Sequence, residues 1–336
     1  MFEWLEVWLQ FALCVVVIGF AGVRLIRYGD AIAAGTGLSR SWVGVILVGT
    51  VTSLPELVTG LSAVAVANSP NIAVGDVLGA CVFNLAVLAL VDIFYRKESI
   101  YGVISHGSHT LSAGFGTIML ATVALVMLAS IQGFLPSIGH LSWGSLVLAG
   151  LYGLAMRTMY LAEQRGRRTE AAAQPQTIAL KAAITGYALA AMVIVGCGVW
   201  LPVIGVELAK VMGWSESFVG TLFVAIATTV PEMATTLGAV RLGVIDLAVG
   251  NLLGSNLFNI AILAIDDVAF RTGVLYLYVA PIHVLSALCA CVMSGAVVVA
   301  LAYRPVSRVL HLGSWTSIAL LGLYLLNALL QYSHGQ

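Results

Sequence analysis

Two short segments of the sequence place a proline beside a glutamate within apolar surroundings. Residues 49–59 read Gly-Thr-Val-Thr-Ser-Leu-Pro-Glu-Leu-Val-Thr, and residues 225–235 read Ala-Ile-Ala-Thr-Thr-Val-Pro-Glu-Met-Ala-Thr. A proline has no N–H and leaves the carbonyl four residues earlier without its helical donor. Such carbonyls, the adjacent hydroxyls and the glutamate carboxylate are the oxygen ligands that hard cations such as calcium bind. An ionisable side chain within a bilayer-spanning segment indicates a functional site.

A proline kink with a neutral, hydrogen-bonded glutamic acid is the competing interpretation of each segment. Two matched copies in corresponding halves of the chain favour a cation site at the interface between two repeats. We expect Asn84 and Asn259 to complete this site, because amide oxygens bind hard cations without adding charge. No cysteine or histidine occurs in the two Pro-Glu segments, which argues against zinc and copper.

The composition predicts a membrane protein. Hydrophobic residues make up 60% of the 336 positions and charged residues only 9%. Apolar stretches of about 20 residues, the length that a helix needs to cross the hydrocarbon, recur along the chain. This pattern favours an all-α polytopic membrane protein over a soluble domain or a barrel. The ten predicted spans are roughly residues 8–27, 41–66, 71–94, 108–131, 141–162, 179–203, 214–239, 246–265, 274–302 and 312–332.

The basic residues predict the orientation of the chain. If the N-terminus faces outside, Lys210 and Arg271 are the only lysine and arginine residues on the outer side, and all others lie at inner loops and helix ends. This positive-inside bias supports ten spans with both termini outside. The polar stretch 163–177 is then a flexible cytoplasmic linker between a first five-helix half, 1–162, and a second, 178–336.

The two halves repeat each other. When Pro55-Glu56 is set on Pro231-Glu232, residues 73–84 align with residues 248–259, and each of these segments ends at an asparagine. Because each half has five predicted spans, the second copy runs through the membrane upside down. Inverted repeats of this kind are typical of alternating-access transporters, whose ion sites lie near the middle of the membrane.

Other residues predict structural roles. The glycine pairs Gly75–Gly79 and Gly250–Gly254 have the small-xxx-small spacing that lets helices approach closely, and we expect each to pack the third helix of its half against the second. The i,i+4 spacing of Asp267 and Arg271 predicts an ion pair at a helix end. Asp266 and Asp267 lie on the predicted outer side, where they could attract cations, but we expect them to cap a helix or to lie at the membrane interface.

The repeated segments resemble the two alpha repeats of the cation/calcium exchanger superfamily, the sodium/calcium antiporters, and most of all its compact prokaryotic members. The family pattern is Gly-Thr-Ser-x-Pro-Glu on one helix and Gly-Asn-x-x-Gly-Ser-Asn-x-x-Asn/Asp on the next. The Pro-Glu pattern corresponds to residues 52–56 in the first copy and 228–232 in the second, and the Gly-Asn pattern corresponds to residues 75–84 and 250–259. The alpha repeats would extend over about 41–94 and 214–267, and the resemblance covers essentially the whole chain.

The resemblance implies exchange of calcium for sodium across a membrane, with the two kinds of ion competing for overlapping sites as the first and sixth helices slide against the rest. It also implies which residues bind each ion. The implied calcium ligands are Glu56, Glu232, the backbone oxygens of Thr52 and Thr228, and Asn84 and Asn259. The implied sodium ligands are Ser53, Thr229 and Ser255, with main-chain oxygens near Gly49 and Ala225.

The first repeat departs from the family pattern at three positions. Ala80 and Cys81 stand where the family has Ser-Asn, so one sodium-coordinating hydroxyl is missing. Asp76 stands where the second repeat has Asn251, which adds an auxiliary carboxylate. Calcium binding is expected to persist, and the coupling ion is open between sodium, which the resemblance favours, and a proton or potassium.

Other functional classes fit the sequence less well. A channel would not need inverted repeats with paired buried carboxylates, and an enzyme would need a base near Ser53 or a metal with an open position. We therefore expect a transporter with no cofactor besides the calcium and sodium ions that it carries. We expect it to act as a monomer in a lipid bilayer, in a prokaryotic inner membrane, without nucleic-acid partners.

Overall fold

The described part of the chain folds mainly into long apolar helices. The computed structural model describes residues 3–36, 52–95, 98–104, 107–166, 178–241, 243, 245–305 and 313–334. The first half contains α1 (Glu3–Thr36), α2 (Leu54–Ala65), α3 (Pro70–Phe94), α4 (Ile100–Val103), α5 (Gly107–Ile131), a hairpin of β1 (Ser137–Ile138) and β2 (Leu141–Ser142), and α6 (Trp143–Gly166). The second half contains α7 (Leu180–Met212), α8 (Glu216–Phe218), a π-helix (Val219–Val224), α9 (Ala225–Thr228), α10 (Val230–Arg241), α11 (Ile245–Ala269), a 3₁₀ turn (Leu275–Leu277), α12 (Ile282–Tyr303) and α13 (Trp315–His334).

Within the described ranges, nine helices are long and apolar enough to cross a bilayer, counting residues 216–241 as one. They correspond to nine of the ten predicted spans. The remaining prediction, 41–66, lies partly outside the described residues, and its described part contains the short apolar helix α2. Helices α1 and α7 have 34 and 33 residues and are longer than predicted. Helix α6 continues to Gly166, so the first residues of the predicted linker 163–177 are helical, and its residues 167–177 lie outside the described ranges.

Helices α3 and α11 form the centre of the molecule. In each of them 78% of the most apolar window is buried, against 22% in α6. Helix α3 packs against α2, α11, α12, α13 and the π-helix. Large apolar side chains on the outer helices are instead exposed, for example Leu189 of α7 and Leu329 of α13. This distribution fits a bundle whose apolar surface faces lipid and whose polar residues lie inside.

Glycines let α3 approach the second half closely. A Cβ on Gly79 would overlap the carbonyl oxygen of Thr221 in the π-helix, and one on Gly75 would lie 3.0 Å from the Thr221 nitrogen. The predicted close packing at these glycines therefore occurs, but against the second helix of the other half. Gly250 meets the His109 ring, with 3.4 Å between its Cβ position and Cε1, rather than a helix backbone.

Two buried aspartates tie the ends of the central helices to neighbouring segments. Asp267 accepts hydrogen bonds from the backbone N–H of Leu275 (2.9 Å) and Ser142 (2.8 Å) and from the Ser145 hydroxyl (2.6 Å). Its counterpart Asp92 makes the matching contacts with the N–H of Ile100 (2.9 Å) and Ser314 (2.8 Å) and the hydroxyl of Ser317 (2.6 Å).

The predicted ion pair of Asp267 with Arg271 is wrong. Arg271 is exposed and lies 3.2 Å from His140 Nε2, while Asp267 is fully buried among donors from three other segments. A buried carboxylate gains more from three close donors than from a mobile surface cation, because charge-assisted hydrogen bonds replace the water that it loses.

Candidate cation-binding site

In both Pro-Glu segments a non-helical residue lies two positions before the proline, and a helix begins directly after it. In the first half, Ser53 has turn geometry (φ −89°, ψ 14°) and α2 begins directly after it, with Pro55 in its first turn. In the second half, α9 ends at Thr228 and α10 starts at Val230, while Thr229 has φ −81° and ψ 0°. Each break puts its glutamate in the first turn of the helix that follows, where unpaired backbone N–H groups favour negative charge.

The two glutamates are bound crosswise by the hydroxyls of the opposite half. The Ser53 hydroxyl donates to Glu232 Oε1 over 3.2 Å, and the Thr229 hydroxyl donates to Glu56 Oε1 over 3.3 Å. All four side chains are fully buried. Because Ser53 and Thr229 occupy matching positions in the two segments, the site has the same arrangement seen from either half.

A second pair of contacts joins the Pro-Glu segments to the central helices. The hydroxyl of Thr52 lies 3.3 Å from that of Ser255 on α11. The hydroxyl of Thr228 donates to Asp76 Oδ1 on α3 over 2.8 Å. By the repeat alignment, the counterpart of Ser255 is Ala80, which has no hydroxyl. Thr228 therefore bonds to a carboxylate one helical turn earlier on α3.

Asn256 orients the asparagine of the first half. Asn84 donates from Nδ2 to Asn256 Oδ1 over 2.9 Å, and Asn256 donates from Nδ2 to the carbonyl of Cys81 over 3.1 Å. These bonds leave Asn84 Oδ1 as a buried acceptor without a donor among the described residues. Asn256 follows Ser255 directly, so the same stretch of α11 contacts both the Thr52 hydroxyl and the Asn84 amide.

Several buried oxygens of the site lack a hydrogen-bond donor within the described part of the chain. They are Glu56 Oε2, Glu232 Oε2, Asp76 Oδ2, Asn84 Oδ1 and Asn259 Oδ1. Every lysine and arginine side chain whose burial is described is exposed, so no described basic residue compensates the three carboxylates. Buried acceptors without donors carry a large desolvation cost unless a cation or proton satisfies them. Carboxylate and amide oxygens are the ligand types that hard cations prefer.

Similarity to known proteins identifies the family of the chain. The family model for the sodium/calcium exchanger protein matches residues 6–161 and 182–333, which is most of the chain. The chain belongs to the sodium/calcium exchanger family. This exchanger is thus an integral membrane transporter of cations and not an enzyme.

Individual relatives are similar over most of their length. The inner membrane protein YrbG of Escherichia coli is 25% identical over 257 residues, which are 72% of this chain and 73% of YrbG. A structure of the sodium-calcium exchanger NCX_Mj, soaked with Na⁺ and Sr²⁺, has a TM-score of 0.60 at 21% identity and covers 96% of this chain and 98% of its own. A crystal structure of the H⁺/Ca²⁺ exchanger CAX has a TM-score of 0.70 at 14% identity and covers 96% and 81%. The two structures share the fold of this exchanger while differing in the coupling ion that they are named for.

Most of the residues predicted for the site lie together. Glu56, Glu232, Ser53 and Thr229 form the crosswise pairs, and Thr52, Thr228, Ser255, Asp76 and Asn84 surround them through the contacts above. The Thr229 hydroxyl shares its single proton between Glu56 Oε1 at 3.3 Å and the Ala225 carbonyl at 2.6 Å. Asn259 is fully buried one turn beyond Ser255 and makes no described side-chain hydrogen bond. Gly49 lies outside the described residues.

Asn256 is a residue of the site without a predicted role. It stands at the second position of the Ser-Asn pair of the family pattern, and its counterpart in the first repeat is Cys81. Its hydrogen bonds to the Cys81 carbonyl and to the Asn84 amide indicate that it positions Asn84. The position of Asn256 in the repeat was the available signal.

Proposed function

We propose that this exchanger carries calcium in one direction and sodium in the other by alternating access, with the central ion bound between Glu56 and Glu232. The crosswise hydrogen bonds carry this proposal, because they bring one carboxylate from each half to a single buried place. The unpaired oxygen of each carboxylate remains available to an ion. Calcium takes six to eight oxygen ligands at about 2.3–2.6 Å, and the buried oxygens around the pair supply this chemistry.

The proposed ligands follow from the residues that surround the pair. Calcium would bind the carboxylates of Glu56 and Glu232, the amide oxygens of Asn84 and Asn259, and backbone oxygens of Thr52 and Thr228, with Asp76 as an auxiliary carboxylate. Sodium ions would use Ser53, Thr229 and Ser255 together with carbonyls near Gly49 and Ala225. Since calcium and sodium would share the two glutamates, they exclude each other, and this competition couples their movements.

An inverted pair of five-helix halves, 1–162 and 178–336 joined by the linker 163–177, is part of the proposal. Matching contacts in the two halves support it: Asp92 and Asp267 bind equivalent segments, and each Pro-Glu segment binds the other half. The family model also matches the chain as two segments. Two halves with the same contacts and opposite directions can exchange an inward-facing for an outward-facing state.

Helices α1 and α7 are the proposed moving elements. A Cβ on Gly22 of α1 would overlap the Pro231 ring, and a Cβ on Gly198 of α7 would lie 2.8 Å from a methyl group of Val58 on α2. Gly22 and Gly198 are repeat counterparts, so each long helix lies directly on one Pro-Glu helix. Glycine gives these contacts a smooth surface without side chains, along which helices can slide past each other.

Proton-coupled calcium exchange is the second candidate. Asp76 supports it, because the Thr228 hydroxyl bonds to this carboxylate, whereas its counterpart Thr52 lies beside the hydroxyl of Ser255. A third buried carboxylate can carry a proton, while the missing hydroxyl at Ala80 weakens a sodium site. The fold shared with the H⁺/Ca²⁺ exchanger CAX is compatible with this alternative.

A vesicle experiment separates the two candidates. Purified protein is reconstituted into liposomes loaded with sodium, with potassium or with acidic buffer, and uptake of radioactive calcium is measured after dilution into sodium-free neutral buffer. Uptake only with sodium inside is expected. Uptake only with acid inside would support proton coupling, and the absence of uptake under all three conditions would refute calcium exchange.

The proposed location is a prokaryotic inner membrane, with both termini outside and the protein acting as a monomer. The positive-inside bias supports the orientation, and the similarity to the E. coli inner membrane protein YrbG supports the location. Labelling of single cysteines placed at the termini, in intact cells with a membrane-impermeant reagent, tests the orientation.

A further inference from the structure

Asp266, near the C-terminal end of α11, is a buried acid that the proposed exchange mechanism does not use. Its side chain is fully buried, and neither carboxylate oxygen has a hydrogen-bond donor among the described residues. Its neighbour Asp267 is equally buried but accepts hydrogen bonds from donors of three segments. A helix cap or a residue at the membrane interface would contact backbone N–H groups or water, so the earlier expectation for Asp266 is wrong.

The carboxyl of Asp266 faces helix α2. A Cβ on Gly60 would lie 2.6 Å and 2.8 Å from its two oxygens, so only glycine at this position leaves room for the acid. Gly60 is one turn after Glu56 on α2, and Asp266 is two turns after Asn259 on α11. At 1.5 Å per residue, these spacings put Asp266 roughly 10 Å further along α11 than Asn259. The acid thus lies between α2 and α11, which carry proposed ligands, and it is closer to the C-terminal end of α11 than they are.

Negative charge dominates the surroundings of Asp266. Two further carboxyl groups, those of Asp267 and of Asp76 on α3, lie within electrostatic range of it, and the uncharged hydroxyl of Tyr276 lies nearby. Beyond the helix end, Arg271 and the half-buried His140 bond to each other, and His140 also bonds to the Val268 carbonyl. A bare carboxylate here would be desolvated and repelled by its neighbours, and a proton removes both costs. A metal ion would need several more oxygens, which no described hydrogen-bond partner supplies.

The acid is not required by the packing of the helix. The repeat counterpart of Asp266 is Val91, which is also buried in α3. Both positions precede the structural aspartates Asp92 and Asp267, and only the second half has an acid there. Val268 and Ile265, on either side of Asp266 and Asp267, are 47% and 37% exposed, so a short distance separates the acid from the surface of the bundle.

We propose that Asp266 is a proton-binding site beside the central cation site, which holds a proton in the cation-free protein and releases it when a divalent cation binds between Glu56 and Glu232. The chemistry is a single deprotonation, in which the carboxylic acid becomes a carboxylate and the proton passes to water. A divalent cation nearby stabilises the charged form of the acid, which gives the two events a common driving force. The release step rests on the function proposed above, whereas the protonation of Asp266 does not.

Infrared spectroscopy of the purified protein tests the protonation directly. The spectrum of the cation-free wild type minus that of Asp266→Asn at neutral pH should contain the C=O stretch of a protonated carboxylic acid, shifted in D₂O. Asp266→Val, which installs the residue of the first half, should lose the same band. Glu207→Gln, at an exposed acid of α7, is the matched control and should retain it. Labelling of wild-type aspartate with ¹³C should shift the band, which checks the assignment without a substitution at Asp266.

Addition of calcium tests the release. The calcium-minus-apo spectrum of the wild type should show loss of the carboxylic band, and that loss should be missing in Asp266→Asn. A wild-type spectrum with ionised carboxylate bands in place of the acid band would overturn the proposal. Loss of the band on addition of sodium chloride, but not choline chloride, would overturn it too, since the site would then take sodium. If calorimetry detects no calcium binding to the wild type, the proposed function fails, while the first spectrum still decides the state of Asp266.

Discussion

Replacement of Glu232 by glutamine tests whether the paired carboxylates bind the transported divalent ion. Glu232 is fully buried, accepts the Ser53 hydroxyl through Oε1 and has Oε2 without a described donor. Glutamine has nearly the same volume and can still accept from Ser53. It removes the negative charge and puts an NH₂ group where the unpaired oxygen was. The substitution therefore changes the electrostatics of the site while leaving the packing around it intact.

The size of the effect follows from the burial of the pair. Removing one partner of a buried, hydrogen-bonded charge pair costs about 2 to 5 kcal/mol in complexes where it has been measured. For calcium bound between Glu56 and Glu232, this corresponds to an affinity weakened roughly 30-fold to several thousand-fold. Glu56→Gln should have a similar effect, because Glu56 has the matching contact with Thr229 and the same burial.

The assay is isothermal calorimetry of calcium binding in detergent, combined with uptake of radioactive calcium by proteoliposomes. The control is Glu207→Gln, which removes an exposed charge and should bind and transport like the wild type. A melting temperature close to that of the wild type would show that Glu232→Gln is folded. Folded Glu232→Gln and Glu56→Gln proteins that both bind calcium with wild-type affinity would refute the assignment of the site.

Three other substitutions test particular contacts. Gly79→Ala should destabilise the protein by about 1 to 3 kcal/mol, because its Cβ overlaps the Thr221 carbonyl, and should lower both the melting temperature and calcium uptake. The control Gly150→Ala, on an exposed face, should change neither. Equal melting temperatures of the two variants would contradict this close packing. Asp267→Asn should cost about 2 to 3 kcal/mol, measured as loss of thermal stability, because one of its three donors then meets an NH₂ group; an unchanged stability would contradict the anchoring role. Ala80→Ser adds the counterpart of the Ser255 hydroxyl, which lies 3.3 Å from that of Thr52, and should steepen the sodium dependence of calcium uptake. An unchanged dependence would show that Ala80 has no part in sodium coupling.

Much of the fold follows from local properties of the sequence. The lengths of the apolar stretches predict the helices, and the two Pro-Glu segments predict where the helices break, because both depend on neighbouring residues only. The ends of α1 and α7 were predicted less well. These helices continue beyond the predicted apolar spans into residues with charges, such as Glu6 and Lys210, whose helical backbone carries no hydrophobic signal.

The partners of the polar residues depended on contacts distant in the sequence. Asp267 was paired with Arg271 by helical spacing, whereas its donors belong to residues 142, 145 and 275. The repeat indicated that Glu56 and Glu232 share a site, but the sequence contained no signal for which hydroxyl binds which glutamate. Asp266 was unpredictable for the same reason, since the glycine that makes room for it lies about 200 positions earlier in the chain.

Anomalous X-ray diffraction from crystals grown with calcium, and with strontium as a heavier substitute, tests the central proposal most directly. We expect one main anomalous peak between Glu56 and Glu232, at about 2.3–2.6 Å from an oxygen of each carboxylate, and its loss in crystals of Glu232→Gln. A peak at another position, or one between the glutamates that persists at full height in Glu232→Gln, would contradict the assignment of the transported ion to this pair.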